Sequence, residues 1–379
     1  MPQAAAALLS VTTEPRIRVM VVDDAVVFRG LVSRWVQSEP DIEIVSAHRN
    51  GQEALENFSR YDPDLVVLDI EMPVLDGLET LPRLLEKKPD LTVIISSTVT
   101  RRNAEVGIKA LQLGAADYVS KPETNREMTM SPEFRRDLIS RIRALGRRRF
   151  ERLARVAPSS RFIAEVAEPA STPDLPYRLR PFSAVPPRVL VIGSSTGGPQ
   201  ALQILVRGIA PAIACVPVLI TQHMPPTFTT ILAEHIARAT GRPAHEGQDG
   251  ELLAPGRLYI APGARHMMIA RDGEQARIVV NDDPPIHFCK PSVDPLFATA
   301  AATFGGATLA IVLTGMGSDG TDGASIVAES GGSVIAQDEA TSVIWGMPGS
   351  AAEAGVCAGI LPLERIAPRI NELVTGGRA

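Results

Sequence analysis

The run Gly193-Ser194-Ser195-Thr196-Gly197-Gly198 follows an apolar stretch at 189–192 and precedes a helical pattern opening near Pro199. It satisfies G-x-S-x-G with Ser195 at the centre. Glycines let a chain turn sharply from strand to helix, and such a turn lifts a serine hydroxyl above the sheet as a nucleophile. The same residues could merely cap a helix, so the decision falls to partners elsewhere in the chain. A serine nucleophile needs a base, and there are six histidines. His223 ends the apolar run 216–221, on the sheet edge where Ser195 would project. His48 lies in the other half of the chain, and His235 and His245 fall in or just after a polar helical segment. His266 and His287 occupy loops and stay open as alternatives. The imidazole in turn needs a carboxylate to orient it and stabilise its charged form. Asp319 follows the run 309–314, inside a loop from Gly315 to Gly323, with Asp322 deeper toward the next helix. Ser195, His223 and Asp319 are thus expected to converge on one sheet edge from three strands, the arrangement of serine-dependent acyl transfer.

A second constellation occupies the first half. Asp23 and Asp24 stand after the run 17–22, and Asp69 ends the run 65–68. A single aspartate after a strand is most simply a cap or turn residue. Three at two strand ends would repel one another, and a hard divalent cation relieves that repulsion through oxygen ligands. Ser96 offers a hydroxyl at the end of the next strand. Lys121, before Pro122, offers a cation at the end of the one after. Carboxylates, a hydroxyl and a lysine on successive strand ends suit a phosphoryl group, whose charge they would offset.

The elements that must position these residues follow from the pattern of apolar runs. At 17–22, 42–47, 65–68, 91–95 and 117–119 the runs are short, rich in Val and Ile, and separated by amphipathic segments, as in a parallel sheet covered by helices on both faces. Ser131-Pro132 opens a further helix, with Phe134, Leu138, Ile139, Ile142 and Leu145 at helical spacing. From Arg147 the period is lost and prolines are scattered to Pro187, a linker composition. A second α/β pattern begins at Arg188, with strands at 189–192, 216–221, 258–261, 276–280, 309–314 and 333–336. The expected architecture is a tail at 1–15, a flavodoxin-like domain at 16–146, a linker at 147–186 and a Rossmann-like domain at 187–379. Both domains are doubly wound parallel sheets, and 379 residues suit two cores.

Composition removes other classes. A formal charge of −5 and the lack of a basic recognition helix argue against a nucleic-acid partner. Three cysteines without a CxxC pair argue against a disulfide framework or a cysteine zinc site, and point to a reducing compartment. The apolar run 4–9 is too short to span a bilayer and has no basic start, so neither a signal peptide nor membrane insertion is expected. Gly315 to Gly320 also fits G-x-G-x-x-G, with Asp338 after the next strand as a candidate ribose ligand. Asp319 inside that turn would repel pyrophosphate, which sets the dinucleotide reading below the esterase. A non-enzymatic adaptor is the other competing class, separated from an esterase by an ester-hydrolysis assay.

Taken together, Asp23-Asp24, Asp69, Met72-Pro73, Asp76-Gly77, Ser96 and Lys121-Pro122 resemble the response-regulator receiver domain. The Ser195 run, Thr221-Gln222-His223-Met224-Pro225, Ala261-Pro262-Gly263 with His266, Lys290-Pro291-Ser292-Val293-Asp294, and Leu313 to Gly320 resemble the chemotaxis protein-glutamate methylesterases, the CheB family. The order receiver, linker, esterase is similar as well. The resemblance implies that Asp69 accepts a phosphoryl group from a histidine kinase. Asp23, Asp24, Asp69 and the Glu71 carbonyl would hold Mg²⁺, with Ser96 and Lys121 sensing the phosphoryl oxygens. It further implies Ser195 as nucleophile, His223 as base, Asp319 as its orienter, the Met316 N–H in the oxyanion hole and Thr196 in support. The esterase would need no cofactor. The implied reaction is hydrolysis of glutamate γ-methyl esters on cytoplasmic chemoreceptor helices, with receptor glutamine deamidation as a further activity. Receiver-imposed inhibition would be relieved by phosphorylation, and the cytoplasm is the implied location.

Overall fold

The computed structural model describes residues 15–98, 100–122, 131–156 and 177–376. Residues 1–14 of the expected tail at 1–15 and the linker stretch 157–176 lie outside the described residues. The first domain comprises β1 (Ile17–Val22), α1 (Val26–Gln37), β2 (Ile42–His48), α2 (Gly51–Tyr61), β3 (Leu65–Asp69), α3 (Gly77–Lys87), β4 (Thr92–Thr98), α4 (Arg101–Gln112), β5 (Asp117–Lys121) and α5 (Pro132–Val156). Its strands pair in parallel in the order β2-β1-β3-β4-β5. The chain reverses direction across the sheet between β1 and β3, so a crevice opens at their carboxyl ends. Val19, Val21, Leu65, Val67 and Ile94 are fully buried under α1 and α5, which explains the near-continuous apolar runs.

α5 runs to Val156, ten residues past the expected boundary at 146. The helical apolar period does stop near Arg147, but charge carries the helix on. Arg149 forms ion pairs of 2.7 Å with Asp64 and with Asp90, and Arg143 pairs with Asp41 at 2.6 Å. A sequence pattern of apolar spacing does not register a helix turn anchored by a buried arginine such as Arg149.

The second domain comprises β6 (Val189–Ser194), α6 (Gly198–Gly208), α7 (Ala210–Cys215), β7 (Val218–Gln222), α8 (Phe228–Thr240), β8 (Ala244–Glu246), β9 (Leu258–Ile260), β10 (His266–Asp272), β11 (Gln275–Asn281), α9 (Val293–Phe304), β12 (Thr308–Val312), α10 (Thr321–Glu329), β13 (Ser333–Gln337), α11 (Met347–Glu353), β14 (Gly359–Leu361) and α12 (Leu363–Thr375). Seven strands form a parallel sheet in the order β14-β13-β12-β6-β7-β9-β8. Its switch point lies between β6 and β12. β10 and β11 form a separate antiparallel hairpin, so His266 starts a strand instead of sitting in a loop. The end of the expected linker packs on this domain. Arg180 N–H donates to the Cys357 carbonyl, Ser183 N–H donates to Ser333 Oγ, and Arg369 stacks on Phe182.

Candidate functional site

In the first domain the carboxyl edge gathers Asp23, Asp24 and Asp69 within ligand reach of one another. Asp23 is fully buried, and its Oδ1 accepts from the Ala25 N–H at 2.9 Å. Asp69 Oδ1 accepts from Ile70 N–H at 2.8 Å. The remaining oxygens face Lys121, whose Nζ lies 2.5 Å from Asp23 Oδ2 and 2.9 Å from Asp69 Oδ2. Burial pushes the Asp69 carboxyl up to about 6 despite the Lys121 charge, with Asp23 adding to the rise. Asp23 is raised for the same leading reason, burial. These groups are therefore short of positive charge. The buried Ser96 hydroxyl has no hydrogen-bond partner among the described residues. An all-oxygen, acid-rich set beside an unpartnered hydroxyl suits a hard cation and an incoming phosphoryl oxygen. Mg²⁺ supplies Lewis-acid charge neutralisation when bound in such a set.

In the second domain β6 delivers Ser195, β7 delivers His223 and β12 leads to Asp319. Parallel register sets Ser194 against Gln222, and the His223 N–H donates to the Ser194 carbonyl at 3.1 Å. Ser195 N–H donates to the Thr314 carbonyl at 3.0 Å, tying the turn after β6 to the end of β12. Gly197 sits at φ +76°, and a Cβ there would lie 2.6 Å from Val343. The turn after Ser195 thus needs glycine twice over, for its dihedral and for its space.

His223 Nε2 meets Asp319 Oδ2 at 2.6 Å. Asp319 is itself anchored from the start of α9. Ser292 Oγ donates to Oδ1 at 2.7 Å, Val293 N–H to Oδ2 at 2.7 Å, and Asp294 N–H to Oδ1 at 3.2 Å. Burial alone would raise Asp319, but these donors and His223 hold it well below the usual carboxylate range. Burial would pull His223 down. The Asp319 hydrogen bond, with Cys289 adding to it, instead pushes the imidazole up to about 10. The other ring nitrogen, Nδ1, faces Cys289 Sγ at 3.5 Å. Ser195 makes no hydrogen bond to His223. The two side chains line a shared cavity of about 910 Å³, together with Cys289 and Met316. Met316 N–H has no acceptor among the described residues.

The alternatives left open by sequence have other partners. His266 Nδ1 accepts from the Ser292 N–H at 3.2 Å, and its Nε2 lies 3.1 Å from the Pro284 carbonyl, so it braces the α9 entry. His287 faces Asp294 and Asp322. Asp338 accepts from Thr341 N–H and Oγ1, a local turn with no ribose-binding role left to its Oδ1.

The receiver walls this cavity. Lys121, Phe134 and Arg141 of the first domain line it opposite Ser195 and His223. Thr196, only 2% exposed, donates its hydroxyl to Asp117 Oδ2 at 2.7 Å, across the domain boundary. Asp117 also pairs with Arg141. Tyr118 and Phe228 stack with ring centroids 4.1 Å apart, and Gln200 Nε2 donates to the Leu111 and Ala115 carbonyls at 3.1 and 2.6 Å. Arg136 lies over the exposed Phe288 ring at 4.3 Å.

Four residues near the site carried no role in the sequence reading. Gln222 accepts from Ser194 Oγ and donates to the Ser195 carbonyl, locking the turn. Ser292 anchors Asp319, Cys289 faces His223, and Asp117 reaches Thr196 from the other domain. No spacing rule links these pairs, which lie 27, 66 and 79 residues apart.

Fold and edges together define a class: a receiver with an acidic pocket joined to a doubly wound domain of hydrolase type. Residues 19–131 match the response regulator receiver domain model, and residues 190–370 match the CheB methylesterase model. A protein-glutamate methylesterase/protein-glutamine glutaminase of Nitrobacter hamburgensis is 57% identical over 374 residues, covering 98% of this chain and 97% of its own. One of the same name from Rhodopseudomonas palustris is 54% identical over 378 residues, with coverage of 98% and 97%. The crystal structure of the Thermotoga maritima CheB methylesterase catalytic domain is similar to 50% of this chain and 100% of that chain, at 38% identity and a TM-score of 0.48. The chain belongs to the protein-glutamate methylesterase/protein-glutamine glutaminase family, in which a receiver domain precedes the methylesterase domain. No helix among the described residues is long and apolar enough to cross a membrane.

Proposed function

We propose that this chain is a phosphorylation-regulated serine esterase that hydrolyses glutamate γ-methyl esters on chemoreceptors, releasing methanol, and deamidates receptor glutamine by the same acyl chemistry. The observation that carries the reading is the 2.6 Å contact of His223 with Asp319, with Ser195 and His223 lining one cavity. With Nε2 held by Asp319, Nδ1 is the nitrogen left to take the Ser195 proton. It now faces Cys289, so a side-chain adjustment must bring Oγ to Nδ1 before reaction. Oγ then attacks the ester carbonyl carbon, the developing oxyanion takes the Met316 N–H with support from Thr196, and His223 protonates the departing methoxide. Water repeats the sequence to free the acid. A donor at such an oxyanion contributes about 3 kcal/mol.

The receiver is the proposed control. Phosphoryl transfer from a histidine kinase to Asp69, with Mg²⁺ on Asp23, Asp24, Asp69 and the Glu71 carbonyl, would engage Ser96 and Lys121. Lys121 ends the five-residue strand β5 that Asp117 begins, and Asp117 holds Thr196. A pull at one end of a strand about 13 Å long therefore reaches the inhibitory contact at the other. Opening the receiver away from Ser195 shifts the population toward the active form. The chain would work as two units, a receiver that ends with α5 at Val156 and an esterase whose packing reaches back to Arg180, from the cytoplasm on receptor helices without membrane insertion or nucleic acid. The test is methanol release from methylated receptor, with and without a small phosphoryl donor and Mg²⁺. Ser195→Ala should abolish release while still accepting phosphate, and Asp69→Ala should lose both labelling and stimulation. Near-normal release by Ser195→Ala sinks the esterase assignment, and normal labelling of Asp69→Ala sinks the acceptor.

A further inference from the structure

Next to Asp319, at the wall of the Ser195 cavity that His287 also lines, a different set of side chains has no part in the chemistry above. Asp294, in the first turn of α9, is 8% exposed. Its Oδ1 accepts from the Gly323 N–H at 2.7 Å, whereas its Oδ2 is buried and has no hydrogen-bond partner among the described residues. That oxygen is aimed at His287 Nε2, 3.6 Å away, and the same nitrogen lies 3.7 Å from Asp322 Oδ2 in the first turn of α10. All three ligand atoms fall within 4.8 Å of one another.

We infer that His287, Asp294 and Asp322 form a binding site for a zinc-class divalent cation, held by one imidazole and two carboxylates. The separations are too long for hydrogen bonds. They are close to the spacing between adjacent ligands on a tetrahedral zinc, about 3.4 Å for bonds of about 2.1 Å. An imidazole beside carboxylates selects zinc, nickel or copper over the magnesium that suits the all-oxygen set in the receiver. A cation would also neutralise a carboxyl that burial, with Asp319 beside it, pushes up to about 6. The three ligands come from three separate segments. His287 and Phe288 both have positive φ, in a tight turn closed by the Ile286–Cys289 bridge, which projects the imidazole from its loop toward the two helix starts. Three protein ligands leave a coordination position for water.

The test is calorimetric titration of the full chain with Zn²⁺ under saturating Mg²⁺, which occupies the receiver's carboxylates. His287 and Asp322 are exposed, so His287→Ala and Asp322→Asn should fold, as thermal melting will show. Wild type should bind one Zn²⁺, with each variant at least tenfold weaker and Cys289→Ser unchanged. Co²⁺ substitution should give visible d–d bands without thiolate charge-transfer absorption. Unaltered binding in both His287→Ala and Asp322→Asn overturns the site. So does loss of binding in Cys289→Ser, or a thiolate band, because either assigns the cation to His223, Cys289 and Asp319.

Discussion

Gln200→Ala is the sharpest probe of how the receiver restrains the esterase. Gln200 sits in the first turns of α6 and takes no part in the proposed chemistry. Its amide nitrogen donates to two receiver carbonyls, Leu111 at 3.1 Å and Ala115 at 2.6 Å. Each such hydrogen bond contributes about 1 kcal/mol net, since both carbonyls find water when the domains part. Losing two shifts the closed–open equilibrium by about 2 kcal/mol, a factor of roughly 30. If the unphosphorylated rate reports the small open fraction, basal methanol release should rise by about that factor. The phosphorylated rate should stay put, because the open form already dominates there. Methanol release from methylated receptor, with and without phosphoryl donor, reads both numbers. An exposed ion pair at the same boundary, Arg101–Glu234 at 2.7 Å, provides the scale. Its removal by Arg101→Ala should change basal release far less than Gln200→Ala does, since solvent screens an exposed pair. A basal rate in Gln200→Ala equal to wild type would refute restraint through this contact.

Further expectations concern the imidazole and its carboxylate. Asp319→Asn should cut the activated rate about 10⁴-fold, as loss of the orienting charge does in serine triads, with melting used to check that the α9 start stays folded; activity within tenfold of wild type would count against the assignment. Because the Asp319 hydrogen bond pushes His223 up to about 10, the imidazole must lose its proton before it can take one from Ser195. Hydrolysis should therefore climb from pH 7 toward about pH 10 with or without phosphoryl donor, and a flat profile contradicts a charged imidazole. The linked stability runs the other way. A raised folded-state pKa contributes fully below the unfolded value of about 6.5 and is lost as pH rises through about 10, so the melting temperature should fall across that window.

Much of this molecule was legible in one dimension. Short runs rich in Val and Ile demanded buried parallel strands, since only a two-sided covering makes continuous apolar stretches affordable. Strand ends in such sheets face one edge, so the positions of Asp23, Asp69, Ser195, His223 and Asp319 at the ends of runs already grouped them. Tertiary structure alone decided the rest. The Ser292, Val293 and Asp294 donors that anchor Asp319 come from a helix start 25 to 27 residues earlier, and Asp117 reaches Thr196 from another domain. Past the expected boundary at 146, α5 is anchored by the Arg149 ion pairs with Asp64 and Asp90, which apolar periodicity does not record. Which nitrogen of His223 meets Asp319, and that Cys289 takes the other, is likewise a matter of approach in space. Periodicity encodes which face of an element is buried. Hydrogen bonds between loops depend on where the sheet's twist and crossovers bring their ends, and no local pattern carries that information.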